Sequence, residues 1–380
     1  MVKTTIYMIS QRYPPDPIAS GASYHTYYLT EELLKQGYDV KVISVSKTDT
    51  IFKTINLDFL YRFYLIPEMI LYAIIAALFI AKEYKGRKII IHTQGSMDHL
   101  VGVILKKLFP NRFCFIMTQH GPGINFIHES LSVIKNAKAI STFLNGFRNF
   151  FMYLFSWYFF EKLAYKCADK IICVNDFIKQ DCIKEGLKEK QLVTIYNAIP
   201  KSKREFKQIS KTYFLFMGGI EIIKGYDILL KAYDIYKKRG GQKLLYIAGS
   251  KKIKGENGIK MLGFVKGKLK NELFQNCYAV IIPSRYESGP IVALEALLFN
   301  KPVIISKFAG LSYYIKKNQF GYISDLNPIQ IADLMLKIEN PKIYRTFQSA
   351  IKQNFDLYWE NIIIKYENLY NSLIREILQK

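Results

Sequence analysis

What this sequence lacks rules out several classes of protein. Cysteine is scarce: Cys114, Cys167, Cys173, Cys182 and Cys277 are the five in 380 residues, scattered and without a CxxC pair. That argues against a disulfide framework or a structural zinc site and fits a reducing cytosol. The opening stretch MVKTTIYMISQRYPP has no signal-peptide h-region. The longest charge-poor run, Met69 to Ala81, falls short of the ~20 apolar residues of a membrane span and reads as a buried helix. There is no GxGxxG dinucleotide fingerprint and no P-loop. No RNP, KH or zinc-finger signature marks a nucleic-acid module. Low-complexity segments and internal repeats are absent. Acidic residues are also few, 31 against 54 Lys and Arg, which leaves a formal net charge of +23. Such an excess favours an anionic partner: nucleic acid, an acidic membrane surface or a phosphorylated ligand.

What is there is short apolar runs alternating with helical periodicity, the pattern of βαβ units around a parallel sheet. Thr4–Ser10, YDVKVISV, KIIIHTQG, FCFIMTQHG, KIICVN and LVTIYN form one set of expected strands. Between the first two, Tyr24–Gln36 has helical spacing and Gly37 is its expected stop. A second set comprises YFLFMGG, LLYIAG, IKMLGFV, AVIIPS and PVIIS, with a helix expected over Tyr226–Lys238 and helical, amphipathic sequence over Ile343–Lys380. The stretch AIPKSKREFKQISK between the sets is basic and aperiodic. The expected organisation is a first α/β domain over 1–204, a second over 205–355, and a terminal helix over 356–380 that packs back on the first. Open parallel sheets bind ligands outside the carboxyl ends of their strands, so two facing sheets place a site in the cleft between domains.

Three strand-to-helix turns suit an anion. Gly21 precedes the first helix in SGAS, where a bare backbone lets N–H groups approach a ligand. In MGGIEIIKGYDILL, Gly218 and Gly219 end a strand and Lys224 stands before the next helix, either a cation placed for a phosphate or a solvated surface lysine. In SRYESGPIVALEALLFNKPVIIS, Pro290 suits the first helical position and the amides after it point out of the helix start. Glu295 interrupts the apolar run that follows. A buried carboxylate costs several kcal/mol unless it is paired, so it either accepts hydrogen bonds from vicinal hydroxyls, such as those of a ribose, or forms an internal salt bridge.

ESGPIVALE resembles the E-x7-E signature of retaining glycosyltransferases of family 4, with the GT-B fold. The likeness is collinear over YPPDPIASGASYHTYYLTEELLKQGYDVKVIS, TQHG, CADKIICVN, VTIYNAIP, MGGIEIIKG and FDLYWENI. It implies an α/β GT-B chain of two facing Rossmann-like parallel-sheet domains with an interdomain cleft. It implies transfer of a sugar from a nucleotide-sugar donor to a glycan or lipid-linked acceptor, in cell-surface polysaccharide or lipopolysaccharide-type biosynthesis. By this resemblance Glu295 holds the ribose hydroxyls and Glu287 stands near the donor sugar. The loop of Ser288, Gly289, Pro290 and Ile291 contacts sugar and diphosphate, and Lys224 neutralises the diphosphate beside Gly218 and Gly219. Gly21 and Ala22 belong to the N-terminal loop that closes over it, and His120 meets the sugar. The sequence departs from the family at Gly219, where an arginine is usual. Lys224 then works alone, another basic residue such as Arg285 substitutes, or donor affinity is weak.

No DxD motif is evident, so no obligatory metal or other cofactor is expected. Retention is open to a double displacement or to front-face attack guided by the leaving phosphate. The aromatic, basic stretch FRNFFMYLFSWYFFEKLAYK reads either as a core helix or as an amphipathic face at an anionic membrane. The expected location is the cytoplasm, peripheral on the inner face of the cell membrane, with no nucleic-acid partner. The competing readings are a sugar-nucleotide epimerase or hydrolase of the same fold, and a degenerate, non-catalytic binding subunit.

Overall fold

The structure is a computed structural model that describes residues 4–14, 21–45, 54–56, 66–84, 89–95, 97–121, 123, 127, 130–131, 134, 140–201, 212–249 and 257–378. Its contacts divide the chain into two compact units, Met1–Asn197 with Trp359–Lys380, and Ala198–Tyr358. The boundary expected between 204 and 205 lies outside the described residues.

The first unit is built on a parallel sheet of β1 (Thr5–Ile9), β2 (Asp39–Ser44), β3 (Thr54–Asn56), β4 (Ile89–Thr93), β5 (Phe113–Gln119), β6 (Lys170–Cys173) and β7 (Leu192–Thr194), in the order β3-β2-β1-β4-β5-β6-β7. β4 and β5 are buried at every position. That is why they read as unbroken apolar runs rather than alternating ones: helices cover both faces of such a sheet. The helix Gly21–Lys35 stops where Gly37 turns left-handed, at φ 83°. The order reverses between β1 and β4, and the crevice outside the carboxyl ends at such a reversal is where α/β sheets take ligands.

The chain returns to this unit at its end. In the C-terminal helix Trp359–Leu378, one stripe (Trp359, Ile362, Ile363, Tyr366, Tyr370 and Leu373) is buried at intervals of three and four and packs against the Gly21–Lys35 helix and β5.

The second unit repeats the plan with β8 (Tyr213–Met217), β9 (Leu244–Ala248), β10 (Ile259–Gly263), β11 (Ala279–Ile282), β12 (Val303–Ser306) and β13 (Gly321–Ser324), in the parallel order β10-β9-β8-β11-β12-β13. Its reversal falls between β8 and β11, so the loops after Met217 and after Ile282 are brought side by side. Gly225 locks them together: its φ is 70°, and a Cβ there would lie 1.9 Å from the Pro283 carbonyl oxygen. Only glycine fits both constraints.

The structure refines several local expectations. The run from Met69 lies in the helix Ile66–Glu83, which is only half buried; Leu71, Ile74 and Leu78 share an exposed face. The helical sequence from Ile343 spans the end of Pro341–Asn354 and then Trp359–Leu378, parted at 355–358. Pro290 is the residue before the first helical turn, with φ −66° and ψ 94°, rather than within it. The aromatic stretch is helical from Ile140 to Phe155 but widens into a π-turn over Ser156–Glu161 before Lys162–Cys167.

Candidate active site

In the second unit the strand reversal gathers most of the residues singled out in sequence. β8 runs out at Met217, and the Gly218 amide donates to the Ala248 carbonyl at 2.9 Å. Neither Gly218 nor Gly219 is left-handed; the nearest atoms to a Cβ at Gly219 would be those of the Glu221 side chain, from 3.3 Å. The short 3-10 turn Ile222–Lys224 then presents Lys224. Its Nζ donates to Glu287 Oε1 at 2.9 Å, and the buried Ser284 hydroxyl donates to Glu287 Oε2 at 2.9 Å. The Glu287 backbone is fixed as well, since its carbonyl accepts from the Gly310 amide at 2.8 Å.

Ser288 and Gly289 continue this loop to Pro290, and the helix Ile291–Leu298 begins. The Ala293 amide donates to the Pro290 carbonyl at 2.9 Å, and the amides of Ile291 and Val292 before it precede any intrahelical acceptor, which makes the helix start electropositive. Lys224 and this helix start lie in the loops that follow β8 and β11, where a cation and free amides would both suit an anion. Arg285 is not free to join them. Its guanidinium holds Asp227 by two bonds of 2.7 Å and also reaches the Ile222 carbonyl. That pairing holds the Asp227 carboxyl below its usual range and fastens the turn that carries Lys224.

Glu295 sits on the same helix, and its carboxylate is mostly buried. Oε1 accepts from Lys270 at 2.5 Å; Oε2 is buried with no partner among the described residues. Desolvation raises its pKa and Lys270 only partly offsets this. The internal salt bridge is therefore real, yet it satisfies only half of the carboxylate. The other oxygen is an open acceptor.

His120 belongs to the first unit, just past β5, with the TQHG turn. Its Nε2 lies 3.2 Å from Gln94 Oε1, and its ring meets His25 edge-on at 5.2 Å. Burial lowers its pKa to about 4, so the ring is neutral at physiological pH. The turn is clamped from below by Glu161, the last residue of the π-turn. That carboxylate accepts from Gln119 Nε2 at 2.8 Å, from the Gly123 amide at 3.1 Å, and from the Tyr165 hydroxyl. Even so, desolvation prevails and lifts Glu161 to about 7. Gly21 and Ala22 open the Gly21–Lys35 helix, where the Ala22 carbonyl accepts from the Thr26 hydroxyl at 2.9 Å.

Sequence reasoning named Glu287, Lys224, Gly218, Gly219 and the 288–291 loop, and the structure brings these together in one unit. It did not name Ser284, although that residue lies in the same quoted stretch. Lys270, Gln94 and Glu161 gave no signal, because only the fold sets them beside their partners. Among the described residues, no group of His, Cys, Asp or Glu is set to hold a metal ion.

Comparison with known proteins fits this layout. Residues 19–203 match the model of Glycosyltransferase Family 4, and residues 198–354 match that of Glycosyl transferases group 1. An uncharacterised glycosyltransferase of Methanocaldococcus jannaschii is 27% identical over 96% of this chain and 97% of its own length. The capsular polysaccharide biosynthesis glycosyltransferase CapM of Staphylococcus aureus is 21% identical over 61% of this chain and 68% of its own. Among solved structures, Anabaena HepE in complex with UDP and glucose superposes with a TM-score of 0.67 at 15% identity, covering 97% of this chain and 98% of that one.

Proposed function

This chain is a glycosyltransferase of the GT-B fold, and on that premise we propose that it moves a hexose from a nucleoside-diphosphate donor to a lipid-linked glycan, with retention at the anomeric carbon and without an obligatory metal. The reading places it in cell-surface polysaccharide assembly, the process named for the CapM relative. One observation carries it: Lys224, Glu287 and the start of the Ile291–Leu298 helix converge at the strand reversal, while Glu295 keeps one buried oxygen unpaired on that helix.

Loss of the sugar leaves charge on the diphosphate, and fixed donors at the place where that charge grows lower the barrier most. Lys224 supplies a cation and the helix start supplies amides. Glu287, held by Lys224 and Ser284, stands ready to accept from sugar hydroxyls once a diphosphate draws Lys224 away. Glu295 Oε2 accepts from the ribose; filling a buried acceptor that lacks a partner recovers a desolvation cost of about 1–3 kcal/mol. UDP is the nucleotide in the HepE complex, which makes UDP-sugars the first donors to try.

The lipid-linked acceptor rests on the aromatic helix. Phe143, Leu144, Phe147 and Phe151 of Ile140–Phe155, with Tyr158 and Phe159 of the π-turn, are exposed, and Arg148 and Lys162 lie among them in sequence. An apolar strip interleaved with cations on a strongly basic chain suits the surface of an anionic bilayer. No described helix is long and apolar enough to cross one.

The test is transfer itself. The full chain is incubated with UDP-hexoses and a polyprenyl-diphosphate-linked sugar, with and without a chelator, and the new linkage is read by NMR. An α-linked product from an α-linked donor, unaffected by the chelator, is the expected result. A β-linkage refutes retention, sugar release without an acceptor product supports a donor hydrolase, and loss with the chelator refutes metal independence.

A further inference from the structure

Among the described residues, four histidines of the first unit are buried or nearly so, and three of them form a connected set with the C-terminal helix. Tyr366 and Tyr370, one turn apart on that helix, each reach a histidine: Tyr366 Oη is 3.1 Å from His25 Nε2, and Tyr370 Oη is 2.8 Å from His92 Nδ1. His25 lies edge-on against the His120 ring. His92 reaches His120 through Gln94, with His92 Nε2 to Gln94 Nε2 at 3.2 Å and Gln94 Oε1 to His120 Nε2 at 3.2 Å. The Thr118 hydroxyl also contacts His92 Nε2, at 2.7 Å.

With the Gln94 amide in this orientation, the chemistry of the groups sets the direction of this chain. An amide oxygen only accepts and an amide nitrogen only donates. The Gln94 NH2 is turned toward His92 Nε2 and lies 4.0 Å from the Met8 sulfur, an acceptor in which the amide oxygen would find no donor. Gln94 Oε1 thus accepts the Nε2–H of His120. His92 Nε2 accepts from Gln94 and from the Thr118 hydroxyl. The single proton of neutral His92 is then on Nδ1 and is donated to Tyr370. Each tautomer dictates the next, as the bond on one ring nitrogen decides the proton on the other.

We propose that the C-terminal helix is a working part of the first unit's site: through Tyr370, His92 and Gln94 it sets His120 in the Nε2–H tautomer and leaves Nδ1 as the hydrogen-bond acceptor toward a ligand hydroxyl. The importance of Nδ1 rests on the reading of His120 as a sugar contact, while the tautomer does not. Tyr370, His92 and Gln94 are positioning residues. The last turns of the chain return to the first unit with tyrosines at these two places, which packing alone would fill equally well with phenylalanine.

Nitrogen-15 NMR of the histidine rings in the full-length chain, near neutral pH and without ligand, tests this. Wild type is expected to show His120 as Nε2–H and His92 as Nδ1–H. Gln94→Leu should turn His120 from one tautomer into a mixture. Tyr370→Phe should disturb His92 and, through Gln94, change the His120 signal too, although no bond joins Tyr370 to His120. Gln94→Glu should restore the single Nε2–H form at His120, because a carboxylate also accepts there. An Nδ1–H form of His120 in wild type overturns the proposal, as does a His120 signal that neither Gln94→Leu nor Tyr370→Phe alters. Thermal unfolding confirms which variants fold, and the Gln94 pair decides alone if Tyr370→Phe does not. UDP-glucose binding by His120→Ala reports separately on His120: unchanged affinity would sink its role at the sugar and leave the tautomer result standing.

Discussion

At the scale of single residues, the proposed diphosphate site has, among the described residues, Lys224 as its cation where two cations were expected. Gly219 stands in place of the usual arginine, and Arg285, the substitute considered from sequence, is committed to Asp227. Lys224 is left to act with the helix amides, and it is itself paired with Glu287 until a ligand competes. The backbone at Gly219 is not left-handed and the nearest atoms to a Cβ there belong to the flexible Glu221 side chain, which can swing aside for a larger residue. Gly219→Arg should therefore tighten UDP binding by about tenfold, the usual worth of one charge-assisted bond, when titrated calorimetrically. Affinity that stays put would mean that the diphosphate does not lie over Gly219. The pair of glutamates in ESGPIVALE was legible from spacing and the Gly-Pro turn. That Glu295 would divide its two oxygens between Lys270 and an empty position was not, because Lys270 comes from a helix twenty-five residues upstream.

At the scale of elements, the strands were legible because parallel strands buried on both faces leave apolar runs. The departures lie where tertiary context overrides local pattern. β13 was missed because GYIS is too short and mixed to stand out. The π-turn leaves no mark in sequence, yet it turns Glu161 inward beneath the His120 turn and Tyr158 and Phe159 outward. Glu161 makes the folded state sensitive to pH. Its pKa is raised from 4.5 to about 7, so its protonated form is favoured by folding, and that contribution is lost as pH rises through 7. Between pH 6 and pH 8 the wild type should lose on the order of 1 kcal/mol relative to Glu161→Gln, measured by urea unfolding of both. Parallel curves would show that burial does not shift this group. The same segment carries the exposed aromatics. Phe147→Asp with Phe151→Asp should leave thermal stability nearly unchanged, since both rings are about half exposed, and should reduce pelleting with anionic vesicles by tenfold or more. Equal pelleting would remove the membrane from the account.

At the scale of the whole molecule, two α/β units with reversed strand order each place a loop cluster at the carboxyl ends of their strands. The alternation of runs in the sequence foretold both units. It did not foretell that the end of the chain would supply two tyrosines to the histidines of the first, since hydrogen bonds between residues 278 and 341 positions apart have no local signature. The second unit is proposed to hold a nucleotide-sugar through Lys224 and Glu295, and the decisive experiment is calorimetric titration of the chain with UDP-glucose and other UDP-sugars. At least one should bind with a Kd between about 1 μM and 1 mM, the ordinary range for enzyme substrates. Lys224→Ala and Glu295→Ala should each weaken it by tenfold or more. The claim is contradicted if no UDP-sugar binds at millimolar concentration, or if both variants bind as the wild type does.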